Sequence, residues 1–162
     1  MDDSIRPDYF LKIDGIDGES QDSKHKDEIQ IRDFRMNVTN RGRQGDYKVG
    51  KAVFDDATFF SWVDQAYPKL KQACAKGEHL PKAVFTCRKA GKNQMDFMKI
   101  TFSDILITSC KLDLEEHPVP IVEFTIGFAK KQIEYKEQNA DGTLGGAMTA
   151  MVDLHGKRSG AA

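Results

Sequence analysis

The sequence predicts a mainly β domain, either a sandwich or a barrel, with one helix on its side. Three observations support this fold class. Short segments that alternate apolar and polar residues recur between turn-forming stretches, and only one segment has a helical period. A chain of 162 residues also suits a single hydrophobic core. We therefore expect one domain over residues 1–162, with residues 1–7 and 156–162 as flexible ends.

Composition excludes several classes of protein. A hydrophobic share of 40% with 30% charged residues is incompatible with disorder of the whole chain. The formal net charge of −1 gives no field toward nucleic acid or an anionic membrane, so we expect neither as a partner. Three separated cysteines form no disulfide framework, which indicates a reducing compartment of synthesis. The first residues lack the basic and apolar stretches of a signal peptide, so we expect cytoplasmic synthesis without one.

The first predicted strand covers residues 9–13 and leads into a loop rich in turn formers. In residues 28–39 the apolar positions alternate as Ile29 and Ile31 and then change phase at Phe34. A regular strand cannot keep both sets on one face, which predicts a bulge or a bend near Arg32 and Asp33.

The helical period lies in the middle of the chain. Its apolar stripe consists of Phe59, Trp62, Val63, Ala66, Leu70, Ala73 and Cys74. This spacing predicts one amphipathic helix. Pro68 lies inside the pattern and predicts a kink or a split, with Pro68 opening the second half. Gly77 suits the position just past the end of the helix.

The remaining chain predicts more strands. The expected segments are residues 82–88 and 94–102, joined as a hairpin by 89–93, then 105–112, 121–128, 132–136 and, after a turn at 139–142, about 148–154. Seven or eight short strands with one helix complete the predicted fold.

Candidate chemistry is sparse. His25 stands close to Asp27 and Glu28 and could act as a general base, although no serine or cysteine is placed to complete a nucleophilic arrangement. A surface turn fits His25 better. We therefore expect no catalytic residues, no cofactor and no metal site, and no enzyme activity.

Two loops carry concentrated charge. The first is an acidic turn, which we define as Asp14, Asp17, Glu19 and Asp22. Its oxygens could bind a cation such as calcium, but the EF-hand spacing is absent and a solvated turn is favoured. The second is a basic loop within residues 40–50, which we define as Arg41, Arg43, Tyr47 and Lys48. It could contact phosphate or another protein.

Four stretches carry a resemblance to a known family. Residues 10–20 with 25–29, 88–94, 124–135 and 140–154 resemble, in order, segments of the haemolysin-coregulated proteins (Hcp), the tube subunits of bacterial type VI secretion. Two stretches depart from the family pattern. Residues 34–37 replace tryptophans that many relatives carry, and Val152 precedes Asp153 and Leu154 where relatives often have tryptophan.

The resemblance implies a small β-barrel of two antiparallel sheets with one flanking α-helix, assembling into hexameric rings. It implies that the rings stack into a tube, which a contractile sheath expels with a spike and with effector proteins as lumen cargo. It further implies a secreted protein without a fused toxin domain. The basic loop would be the ring-stacking loop, and the acidic turn of the next ring would receive it.

An alternative from another class is a monomeric β-barrel that binds a small ligand in its interior. A ligand cavity needs small and polar inward residues. The predicted inward positions are instead Phe85, Phe97 or Met98, Ile100 and Phe124, which would fill the barrel.

Overall fold

The computed structural model describes residues 7–40, 42, 52–90, 94–114 and 118–154. The elements within these ranges are β1 (Asp8–Ile13), β2 (Ile29–Arg35), β3 (Val38–Asn40), β4 (Ala52–Phe54), β5 (Ala57–Trp62), α1 (Ala66–Lys76), β6 (His79–Arg88), β7 (Asp96–Asp113), β8 (Ile121–Gln138) and β9 (Leu144–Asp153). No helix in the described part has the length and apolar character needed to cross a membrane.

Six strands close into an antiparallel barrel. The order β5-β2-β1-β6-β7-β8 is closed by pairing between β5 and β8, and β9 continues the sheet beyond β8. The second sheet is the two-stranded hairpin β3–β4. The predicted fold class, a β-barrel of two antiparallel sheets with one flanking helix, is confirmed.

Strand β8 holds the barrel and its extension together. One edge of β8 pairs with β7 along nearly its whole length. The other edge is shared, because residues 121–126 pair with β5 and residues 130–138 pair with β9. The predicted division of β7 and of β8 into two short strands each is wrong, since each of them runs for 18 residues.

The strand break that the sequence predicts inside β7 lies at residues 103 and 104, between two segments in which apolar and polar residues alternate. Asp104 does have a left-handed backbone, with φ 51°, but its neighbours Ser103 and Ile105 remain paired with β8 in the same register. A single residue can adopt this conformation without ending a strand, and aspartate is one of the residues that tolerate it. Pairing on both sides therefore overrides the local turn signal.

The bulge predicted in β2 is confirmed. The register against β5 shifts between Ile31 and Asp33. Because of this shift, Ile31 and Phe34 both face the core, although their positions are an odd number of residues apart. The chain then leaves the barrel as the hairpin β3–β4. The prediction of one strand over residues 28–39 is wrong at its end, because β3 pairs with β4 and not with the barrel.

The helix is shorter than predicted. Phe59 and Trp62 belong to strand β5, and α1 starts only at Ala66. In β5 the buried positions alternate as Ala57, Phe59 and Ser61, so tertiary pairing with β2 and β8 overrides the helical period. Pro68 lies in the first turn, where its missing amide donor has no intrahelical partner to lose. Gly77 ends the helix in the left-handed conformation, as predicted.

An aromatic cluster fills the barrel interior. Four phenylalanines with no exposed surface, Phe59, Phe85, Phe102 and Phe124, surround the axis. Phe59 lies 5.4 Å from Phe85 and 5.6 Å from Phe124, measured between ring centroids. Leu70 and Ala73 of α1 are buried against this core. The interior is therefore packed with side chains, and the predicted inward positions Phe85, Ile100 and Phe124 are all buried.

Candidate functional site

The acidic turn divides into two pairs of residues with different roles. Glu19 Oε2 accepts the backbone N–H of Gln65 at 3.0 Å, just before α1, and Gln65 donates its side-chain amide to the carbonyl of Gly18. Asp22 accepts a hydrogen bond from Arg88. Both side chains therefore fix the loop to the barrel. Asp14 and Asp17 are exposed to solvent.

Arg88 organises a buried cluster on the outside of the barrel. Its side chain is 5% exposed, and it donates to Asp22 at 2.6 Å and to Asp8 at 2.9 Å. Its guanidinium lies over the ring of Phe10, 4.8 Å from the centroid. The hydrogen bond from Arg88 holds the pKa of Asp22 below its ordinary value of 3.8. Charge pairing thus ties β1, the loop and the end of β6 together.

His25 is buried in the same region. Its Nδ1 lies 2.9 Å from Glu28 Oε2, and its Nε2 lies 3.1 Å from Asp96 Oδ1 at the start of β7. Its ring stacks on Phe10. Since both ring nitrogens are engaged by carboxylates and no nucleophile is among these contacts, the arrangement serves to connect loop and barrel. The surface-turn interpretation of His25 is wrong, because the ring is only 6% exposed.

The four residues of the basic loop, Arg41, Arg43, Tyr47 and Lys48, lie outside the described residues. The hairpin that carries this loop is described, and it exposes valines on both of its strands. Val38 is 54% exposed and Val53 is 50% exposed. Val38 pairs with Phe54 and Val53 pairs with Thr39, so the two valines lie on opposite faces of the hairpin.

The extension formed by β8 and β9 exposes another apolar surface. Tyr135 of β8 is paired with Met148 of β9, so both side chains lie on one face. This face continues the core face of the barrel through Ile133, which is partly buried. Outside the barrel the face is uncovered, and Met148 is 71% exposed. Strand β9 is also the last strand of its sheet, with an outer edge that no described strand pairs.

Burial shifts the pKa values of three side chains in or beside the core. It raises the pKa of the Cys87 thiol to about 12 and also raises the pKa of Cys110. It lowers the pKa of Lys131, whose ammonium lies 5.8 Å from the ring centroids of Phe102 and Phe128. All three cysteines are free. Among the described residues, no group of three His, Cys, Asp or Glu side chains is arranged to hold a metal ion.

Comparison with known proteins identifies the architecture. Residues 10–135 match the model of the family described as "Type VI secretion system effector, Hcp". The chain belongs to the Hcp family. Its members form a structural, non-enzymatic family of secreted type VI tube proteins, and the prediction that this chain is not an enzyme is confirmed.

Three relatives match this chain over most of its length. Protein hcp1 of Pseudomonas aeruginosa is 33% identical over 86% of this chain and 89% of its own length. The crystal structure of Hcp1 from Salmonella typhimurium has a TM-score of 0.77 at 32% identity, covering 94% of this chain and 97% of that chain. A type VI secretion system effector from Yersinia pestis has a TM-score of 0.75 at 31% identity, covering 90% and 99%.

Sequence reasoning missed two parts of this site. The partners of Arg88 and His25 lie up to 80 residues away in the sequence. No local sequence pattern indicates pairs that are so far apart. The exposed face of β9 did leave a signal. Residues 144–152 contain no charged side chain, which is unusual for a strand that the structure places at the surface.

Proposed function

We propose that this chain is the subunit of hexameric rings that stack into the type VI secretion tube, with effector proteins as lumen cargo. The observation that carries the proposal is the β8–β9 extension, where a core-type face is exposed beside an edge that no described strand pairs. A closed ring needs a heterologous contact, in which one surface of a subunit fits a different surface of its neighbour. An open strand edge with apolar side chains meets this need, because pairing satisfies its backbone groups and covers its apolar area.

Ring closure is tested by matched substitutions on β9. Met148→Lys places a charge on the face that continues the core, and Met151→Lys places the same charge on the opposite face of the same strand. We expect wild-type protein to have a mass near six times 18.2 kDa by light scattering, with rings in negative-stain micrographs. Met148→Lys should give smaller species with unchanged circular dichroism, and Met151→Lys should retain the ring. A wild-type mass of one subunit at all concentrations contradicts the proposal.

Stacking is proposed to join the basic loop of one ring to the acidic turn of the next. Asp14 and Asp17 support this role, because they are exposed and face no residue of their own chain in an ion pair among the described residues. Glu19 and Asp22 are occupied within the subunit and would act by fixing the turn. Opposite charges at such a contact set register and encounter rate.

The stacking contact has its own experiment. Arg41→Glu with Arg43→Glu should leave ring mass unchanged and shorten or abolish tubes in micrographs. Adding Asp14→Lys and Asp17→Lys in the same chain should restore tubes, because the two charge reversals compensate each other. Unchanged tubes in the first variant, with rings intact, contradict the loop assignment.

Assembly fits a route of synthesis in the bacterial cytoplasm followed by release through the secretion machine itself. The sheath and spike are the expected partners of the tube, and effectors are its expected cargo. The ligand-binding alternative has little support, since the barrel interior is filled by Phe59, Phe85, Phe102 and Phe124.

A further inference from the structure

A depression on the outside of the barrel collects four lysines. Strands β1, β6 and β7 present Lys12, Lys82 and Lys99 on one face, and the loop adds Lys24. Pairing fixes this arrangement, because Lys12 lies opposite Val84 and Lys99 lies opposite Thr86, two residues further along β6. Neighbouring strands are ~4.8 Å apart, so the lysine stems start within one small area.

The four ammonium groups are not held in ion pairs in the part of the chain that the structure describes. Three carboxylates share the depression, and two of them, Glu28 and Asp96, are held by His25 while keeping their charge. The lysines outnumber the carboxylates, so the depression has an excess of positive charge. Because no lysine is tied to a carboxylate, all four can turn toward an anion, and positive charge beside protein walls concentrates anions.

We propose that this depression binds a compact, multiply charged anion of the oligophosphate class. Its volume of about 310 Å³ is at the lower end of small-molecule sites. The cationic side chains of the described lining are all lysines, which bind phosphate oxygens as separate point charges. Its one aromatic ring, His25, already stacks on Phe10, so little aromatic surface is offered to a nucleobase.

Lys12 on β1 and Lys99 on β7 belong to the two strands that flank β6, which makes them the informative pair. Thr86, which pairs with Lys99, is a buried residue of the lining. The depression shares Asp14 with the proposed stacking contact. Binding is therefore measured on protein that light scattering shows to be free of stacked rings.

The probe is inorganic tripolyphosphate, titrated calorimetrically into the full-length protein at about 50 mM salt to limit screening. We expect saturable binding that weakens about tenfold or more in Lys12→Gln/Lys99→Gln. The control is Lys69→Gln/Lys76→Gln on the exposed surface of α1, which removes the same total charge and should change affinity by less than about twofold. Circular dichroism of each variant checks folding.

Three results would overturn the proposal. The first is no saturable binding of tripolyphosphate to the wild type. The second is an equal loss of affinity in both lysine pairs, which indicates attraction by overall charge. The third is equal or tighter binding of a tetraglutamate peptide at the same salt, which indicates a site for acidic peptides in place of phosphates.

Discussion

His25 lies flat on Phe10, with ring centroids 4.4 Å apart and ring planes inclined by 7°. Carboxylates of Glu28 and Asp96 hold the two ring nitrogens, so stacking and hydrogen bonding fix the same side chain. The loop between β1 and β2 is thereby attached to β7, 71 residues away from His25. This contact fixes the loop to the outside of the barrel.

His25→Ala should therefore destabilise the subunit strongly. We expect a loss of about 2 to 4 kcal/mol, because Glu28 keeps little access to water and loses its partner while Phe10 loses its stacked ring. Urea denaturation followed by circular dichroism measures the loss. His79→Ala is the control, since that histidine is largely exposed beside Asp104 and its removal should cost less than about 1 kcal/mol. Equal losses for both variants would contradict the structural role of His25.

Gly18 is the tightest point of the same loop. A Cβ at this position would meet the carbonyl oxygen of Glu28 at 2.5 Å and Cα of Ile29 at 2.6 Å, both rigid backbone atoms. Gly18→Ala should cost about 1 to 3 kcal/mol or more through forced backbone displacement. Gly146→Ala meets no atom within 4 Å and serves as the matched control. Thermal unfolding of both variants checks the difference, and a neutral Gly18→Ala would refute the packing argument.

The lowered pKa of Asp22 predicts how the free energy of unfolding depends on pH. Its pKa is lowered in the folded chain by the hydrogen bond from Arg88, so folding favours the ionised carboxylate. The resulting stability is complete above the unfolded pKa near 3.8 and is lost as pH falls through the lower folded pKa. In Asp22→Asn the free energy of unfolding should be lower at pH 7 and should fall less steeply below pH ~4. An unchanged slope in urea titrations across this range would contradict the assignment.

Cysteine reactivity offers a further test of the core. Because burial raises the pKa of Cys87 to about 12 and also raises the pKa of Cys110, both thiols should resist iodoacetamide at pH ~8 in folded protein. All three cysteines should react fully in denaturant. Mass spectrometry of digested, labelled protein reads each site separately. Rapid labelling of Cys87 without unfolding would show that the β6 core position is not as buried as the structure has it.

The sequence predicts this fold well where local signals and tertiary pairing agree. Strand β1, the bulge in β2, the β6–β7 hairpin and Gly77 after α1 all follow from period, turn residues or capping. The prediction fails where pairing overrides local pattern. Phe59 and Trp62 match a helical stripe with Ala66 and Leu70, yet two neighbouring strands hold the first pair in β5.

The surfaces of the subunit are harder to predict than its core. In the sequence, Glu19 and Asp22 look like Asp14 and Asp17, because all four are acidic residues of one turn-rich segment. Only the contacts with Gln65 and Arg88 distinguish the first two. Such contacts depend on how distant strands come together, which no local period encodes. The lysine depression has the same origin, since three strands separated in sequence contribute to it.

The shared edge of β8 has a mechanical consequence. A force applied along β8 where it pairs with β9 is transmitted through the backbone to the part of β8 in the barrel. There β5 and β7 pair with the strand on its two sides. The rungs of hydrogen bonds between β8 and its neighbours then resist sliding together, in shear. Peeling β9 outward breaks its rungs one after another. The subunit should therefore withstand axial load far better than a sideways tear at its outer strand.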